Sequence, residues 1–373
     1  MDTGFLLRFP FILLVTLMAK SVLGQDFEIS ETVELPLSHS LGWVRRNIQP
    51  SDQPVWDGVL DEAKWGSPSK KQAVARNWEI PLSDEEWEAL VAENEPTELE
   101  EVTYDLWIPE GKDLIRGVVA MSAHGTGQQM FEDPNLREIA RDRDLALFRF
   151  VGNPVQRGFW PRSLLFEQLR SMGEAVGYPE IGDAPLFLYG HSNGTGFSAF
   201  FPAAESDRVW GWVSMRPGTT FQVYQPGAAN VPGLVIFGEE DSFLTRPSVE
   251  ENLAVVPAVR KNHDAVWNYV VEAGTGHGPT AQTWPLVYAF LVKTFEARVP
   301  EGADPREGPV ELIELSPDSG WRGAHWDPVA GGHQELEIAP VDKFTGDVET
   351  ASWLLDEEYA EDWQAFQRDG LIE

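Results

Sequence analysis

The chain has 373 residues, enough for a large core, and 42% of them are apolar with 15 tryptophans among them, which excludes an intrinsically disordered protein. Its 60 acidic residues against 28 basic ones give a formal charge of −32, a field that repels nucleic acid and anionic membranes, so neither is expected as a partner. The chain contains no cysteine, which excludes disulfides, thiolate metal ligands and a cysteine nucleophile.

Residues 1–24 read as a secretory signal. Arg8 precedes an apolar run from Phe9 to Ala19, and Val22 and Gly24 supply small residues for cleavage before Gln25. Arg8 and Lys20 leave the apolar run too short for a membrane span, so no stable membrane anchor is expected. An exported protein without disulfides suits the periplasm or exterior of a bacterium.

Residues 25–101 read as an irregular acidic extension. Within it Ser83-Asp84-Glu85-Glu86 has the pattern of a capping box, predicting a helix to about Glu93. The segment Trp56 to Trp65 resembles the opening of some carbohydrate-binding modules but is too short to hold one.

From residue 102 the pattern changes. Val102 to Ile108 alternates as a half-exposed strand, and short apolar runs at 117–122, 145–151, 185–189, 209–215, 234–238 and 266–272 read as buried parallel strands. Helical patterns fit at 134–143, 163–177, 194–205, 248–259 and 281–297. Strand and helix alternate, which predicts an α/β fold with a mostly parallel, doubly wound sheet over residues 102–298. Residues 299–373 break that rhythm. They carry four tryptophans (Trp321, Trp326, Trp353, Trp363) and end in a predicted helix from Asp356 to Arg368. They form either an extension packed on the core or a small accessory unit.

The chemistry gathers around Gly190-His191-Ser192-Asn193-Gly194, which follows the strand at 185–189 and opens the helix at 194–205. Glycines two residues either side let a serine hydroxyl stand clear of a sharp strand-to-helix turn. In a parallel sheet, functional groups collect at the carboxyl ends of the strands. The strand at 234–238 ends in Gly238-Glu239-Glu240-Asp241, and the strand at 266–272 leads to Gly276-His277-Gly278. The expected triad is therefore Ser192 as nucleophile, His277 as base and Asp241 as the acid that orients it, with Glu239 or Glu240 as alternatives for the acid. His191 is assigned to packing, and His263 falls at the wrong end of its strand. The turn His124-Gly125-Thr126-Gly127 after the strand at 117–122 is the second element of an oxyanion hole. Its donors would be the amides of Asn193 and Thr126, with Gly127 the alternative to Thr126.

With these four motifs in this order, residues 102–298 resemble an α/β-hydrolase. Within that superfamily the chain is most similar to secreted esterases of the polyester-depolymerase or dienelactone-hydrolase-like groups. The resemblance implies hydrolysis of carboxylic esters through an acyl-enzyme, with no cofactor. Phe200, Phe201 and Pro202 depart from the small residues usual in the helix after the nucleophile, and the proline is expected to shorten or kink it.

The connection between the strands at 209–215 and 234–238 has no room for a large lid, which suits a bulky or polymeric ester. Asn153, Arg157, Phe159, Trp160, Arg216, Thr219 and Phe221 lie in loops at the catalytic edge, and Asn153, Trp160, Arg216 and Phe221 are the candidate substrate-binding residues. No histidine or carboxylate spacing predicts a metal site. Two other functions fit the sequence: a non-catalytic carbohydrate- or surface-binding protein on a hydrolase scaffold, and a serine peptidase.

Overall fold

Interior strands form where the chain is apolar without interruption, because only a strand covered on both faces can bury every side chain. The computed structural model describes residues 26–36, 99–152, 163–217, 226–242, 244 and 249–372. Its main sheet holds β1 (Phe27–Pro36), β2 (Leu99–Ile108), β3 (Gly117–Ser122), β4 (Leu145–Val151), β5 (Leu186–His191), β6 (Val209–Met215), β7 (Gly233–Gly238) and β8 (Trp267–Glu272). The spatial order is β1-β2-β4-β3-β5-β6-β7-β8. β1 and β2 are antiparallel to their neighbours, and β4 through β8 run parallel. Every residue of β3, β5, β6, β7 and β8 is buried.

The predicted strands at 117–122, 145–151 and 209–215 coincide with β3, β4 and β6. β1 does not appear among the predicted strands. It belongs to the stretch read as an irregular extension, yet it adds an edge strand to the sheet, Phe27 pairing with Ile108 and Pro36 with Leu99. The predicted helix near 83–93 and the signal at 1–24 lie outside the described residues.

Helices α1 (Gly127–Glu132), α2 (Pro134–Asp142), α3 (Ser163–Val176), α4 (Thr195–Ala204), α5 (Val249–Leu253), α6 (Val255–His263) and α7 (Thr283–Arg298) fill the connections. The single helix expected at 248–259 is two, α5 and α6, parted at Ala254. Pro202 sits in the last turn of α4, which ends two residues later. The unusual bulk of that helix is core: Phe197 meets Phe150 edge-on at 4.8 Å between centroids and Phe201 at 5.7 Å.

Residues 299–372 pack back on the sheet. A small sheet of β9 (Trp321–Gly323), β10 (Ile338–Pro340) and β11 (Ser352–Leu354) precedes helix α8 (Glu357–Asp369), capped by Asp356, whose carboxylate accepts the Tyr359 N–H at 2.8 Å. α8 is fastened to β8 by two buried bonds, Trp363 Nε1–H to the Tyr269 carbonyl and the Tyr359 hydroxyl to Asn268 Oδ1, both 3.0 Å. No helix among the described residues is long and apolar enough to cross a membrane.

The order of the strands positions the site. From β3 the chain moves to β4 on one side, and from β5 it moves through β6, β7 and β8 on the other. The reversal falls between β3 and β5, and the crevice at their carboxyl ends is where a parallel sheet offers a ligand site.

Candidate active site

Ser192 follows β5 directly and has φ +55°, a left-handed conformation that costs a non-glycine residue about 1–2 kcal/mol. The turn has no room for a side chain at Gly190 and little at Gly194. A Cβ on Gly190 would lie 2.1 Å from the Gly194 carbonyl oxygen, and one on Gly194 would press on Ser122 at 3.2 Å. The Thr195 hydroxyl closes the turn by donating to the Ser192 carbonyl at 2.6 Å. Ser192 is half-buried and Asn193 exposed, at the crevice where the strand order reverses.

The expected acid and base, Asp241 and His277, follow the next strands along. Past β7, Asp241 is 2% exposed, and its Oδ2 accepts from His277 Nδ1 at 2.8 Å. That bond puts the imidazole proton on Nδ1 and leaves Nε2 as the basic nitrogen. Of the three acids in Gly238-Glu239-Glu240-Asp241, geometry selects Asp241 as the partner of His277. Glu239 is engaged elsewhere: Oε2 accepts the Gly274 N–H at 2.8 Å and Oε1 accepts the Gly332 N–H at 2.7 Å. Glu240 is exposed, and its amide donates to the Thr275 carbonyl at 2.8 Å.

Two sequence-based assignments are corrected. Thr126 was the first choice for the second oxyanion donor, but its amide donates to His191 Nδ1 at 3.1 Å. Its hydroxyl is 2.5 Å from the Tyr189 hydroxyl, so neither donor of Thr126 is left for a substrate. The alternative, Gly127, is the first residue of α1, where the amide has no acceptor within its helix. It is seated so closely that a Cβ would lie 1.7 Å from the Ser122 carbonyl oxygen.

Arg216 was a candidate for substrate binding, but its side chain is fully buried. Its Nε donates to the Gly276 carbonyl at 3.1 Å, and its Nη2 donates to Thr275 Oγ1 at 3.0 Å and to the Glu272 carboxylate. The guanidinium holds the loop that carries His277. Asn153, Trp160 and Phe221, the other substrate-binding candidates, lie outside the described residues, as do Arg157, Phe159 and Thr219. Among the described residues, no group of three or more His, Asp or Glu is arranged to hold a metal ion.

His191 also takes a larger part than packing. It is 5% exposed, and its Nε2 bonds the His277 carbonyl at 2.8 Å. Burial lowers its pKa to about 4; the bond to the His277 carbonyl opposes the shift, and the charges of His277, Arg216 and His124 add to it. Burial and the neighbouring His277 also lower the pKa of His124. The sequence placed His191 beside Ser192 but gave no sign of its partners, which lie in two other loops.

The chain has an α/β-hydrolase fold. The strand order, the reversal between β3 and β5, and the strand-to-helix turn at Ser192 define it. No protein-family model matches the sequence, and no curated protein matches it. Among solved structures, it is similar to a thermostable esterase at 13% identity, covering 52% of this chain and 59% of that one with a TM-score of 0.37. It is similar to a ferulic acid esterase at 14% identity, covering 52% and 89% with a TM-score of 0.37. A cold-adapted esterase from an Arctic intertidal metagenomic library is 16% identical, with 54% and 89% covered and a TM-score of 0.37.

Proposed function

We propose that the protein is an exported serine hydrolase that cleaves carboxylic esters through an acyl-enzyme. The observation that carries this reading is the strained φ of Ser192 beside Gly190, which has no space for a Cβ, on the sheet edge that also holds the Asp241–His277 pair. A fold keeps a non-glycine residue in that conformation only when the surroundings over-determine it, and such residues gather at reactive sites.

In the reaction, His277 Nε2 takes the Ser192 hydroxyl proton as Oγ attacks the ester carbonyl. Asp241 holds the ring by its Nδ1–H and stabilises the imidazolium that forms. The amides of Asn193 and Gly127 receive the oxyanion. The proton passes from His277 to the departing alcohol, leaving the acyl group on Ser192. Water, deprotonated by the same nitrogen, then releases the acid.

On the resemblance of its motifs the chain is assigned to the polyester-depolymerase or dienelactone-hydrolase-like esterases, and its substrate to the bulky or polymeric esters. The short connection between β6 and β7 supports the second point, because it has no length for a large lid. Export rests on the signal-like residues 1–24. Among the described residues, carbohydrate binding through exposed tryptophans has little support: Trp107, Trp210, Trp212, Trp267, Trp353 and Trp363 are all core residues.

The test is hydrolysis of p-nitrophenyl acetate and longer acyl esters by wild type and Ser192→Ala, with fluorophosphonate labelling. Turnover and labelling should both be lost in the variant. Absence of serine-dependent turnover and of labelling in the wild type ends the proposal, and cleavage of a matched amide in preference to the ester would make the protein a peptidase.

A further inference from the structure

One imidazole beside the nucleophile has both ring nitrogens committed to backbone groups of different loops. His191 Nδ1 receives the Thr126 amide at 3.1 Å, and an amide N–H can only donate, so Nδ1 carries no proton. The ring proton is then on Nε2, which donates to the carbonyl of His277 at 2.8 Å. The Thr126 hydroxyl also lies 3.2 Å from Nδ1. The His191 and His277 rings are 5.1 Å apart between centroids. The turn is shaped around this ring: Gly125 has φ +67°, and a Cβ there would lie 2.3 Å from His191 Nδ1.

We propose that His191 is a positioning residue, a neutral strut that spans the crevice behind Ser192 and fixes the turn after β3 and the His277 loop at a set separation. This rests on the reading of Ser192 and His277 as nucleophile and base. His191 touches no reacting atom. It acts through the two chain segments that carry the oxyanion donor and the base, and a displacement of about 1 Å in such groups can cost on the order of 100-fold in rate.

The strut requires the neutral ring. A proton on Nδ1 would face the Thr126 N–H and break that tie. The ionisable groups around it are His277, Arg216 and His124, each neutral or cationic, and Tyr189 bonds the same Thr126 hydroxyl, so no carboxylate is there to reward protonation.

Asparagine and glutamine separate the two ends of the strut. In His191→Asn, Oδ1 stands near the place of Nδ1 and can accept from Thr126, but nothing reaches His277. In His191→Gln, Nε2 can extend to the His277 carbonyl. The full chain would be assayed with p-nitrophenyl acetate for kcat, KM and the pH profile of kcat/KM, and with a fluorophosphonate for labelling rate. His191→Asn should lose about 10–100-fold in kcat with KM little changed, labelling should slow in step, and the acid limb should shift. His191→Gln should keep the wild-type acid limb and lose less. In 15N spectra of the wild-type histidines, His191 should show an unprotonated Nδ1, a result that needs no activity. Wild-type kcat and pH profile in both variants, or a protonated Nδ1, would overturn the strut while leaving the serine mechanism standing. A wild type that is neither labelled nor active overturns that mechanism and the strut with it.

Discussion

Arg216 and Glu272 form an ion pair with both side chains buried, joining the carboxyl ends of β6 and β8 across the end of the strand between them. Glu272 is saturated: Oε2 also accepts from Thr283 Oγ1 at 2.7 Å, and Oε1 accepts from the Thr280 hydroxyl and, at 3.3 Å, the Thr280 amide. The pair pins both ends of the loop that presents His277. Gly238 leaves the space for it, since a Cβ there would lie 2.3 Å from the Gly276 carbonyl oxygen and 2.9 Å from Arg216 Nε.

Breaking the pair from one side leaves a buried charge without its partner. Arg216→Met and Glu272→Gln should each destabilise the protein by about 3–5 kcal/mol, and the double variant should lose less than the sum. Urea unfolding of the four proteins measures this cycle. Equal and additive losses would show that the pair is not coupled.

The left-handed conformation at Ser192 makes a prediction that chemistry alone does not. Ser192→Ala and Ser192→Gly should both be inactive, but glycine relieves the strain at φ +55°. The glycine variant should be about 1 kcal/mol more stable than the alanine variant, less whatever the more flexible unfolded chain takes back. Paired thermal melts decide it, and a more stable alanine variant would mean that the turn is not strained.

His191 gives stability a pH dependence of known sign. Burial lowers its pKa from 6.5 to about 4, so between those values the unfolded chain binds the extra proton. Its contribution is complete above about pH 6.5, shrinks as pH falls, and is gone below about pH 4. The full swing is about 3 kcal/mol. Wild type should therefore lose more stability than His191→Gln between pH 6.5 and 4, measured as the difference between two urea titrations. The difference cancels the many carboxylates that titrate in both proteins.

Most of the central sheet was legible because strands covered on both faces must be predominantly apolar, as 117–122 and 209–215 are with Ser122 and Ser214 the single polar side chain in each. The same rule placed Ser192, Asp241 and His277 at one edge, since a motif after a parallel strand has only one place to go. β1 was missed although Phe27, Ile29 and Val33 alternate, because it lies in a stretch whose acidic residues read as an irregular extension and its partner strand begins only at Leu99. The strands of the C-terminal sheet are three residues long, too short to show a period. The assignments of Thr126 and Arg216 failed for one reason. Their donors are spent on tertiary partners far away in sequence, His191 for one and Glu272 with Gly276 for the other. Position along a strand predicts the edge a residue reaches, not the partner that meets it there.

The C-terminal segment is built into the edge that carries Ser192 and His277 by Glu239. That single carboxylate ties the turn after β7 to the Gly274 amide ahead of His277 and to the Gly332 amide of the C-terminal segment. Helix α8 packs against the neighbouring strand β8, with Trp363 and Tyr359 fully buried. Trp363→Ala should cost about 3–5 kcal/mol through the cavity and the lost bond to Tyr269, lowering the urea midpoint without a specific effect on chemistry. Glu239→Ala should act differently. It leaves the core intact but frees the turn that positions Asp241, so kcat should fall while the urea midpoint moves much less than in Trp363→Ala. Glu239→Gln keeps one carbonyl acceptor and should recover part of the rate. A Glu239→Ala enzyme with wild-type kcat would make the C-terminal segment a cover for β8 and nothing more.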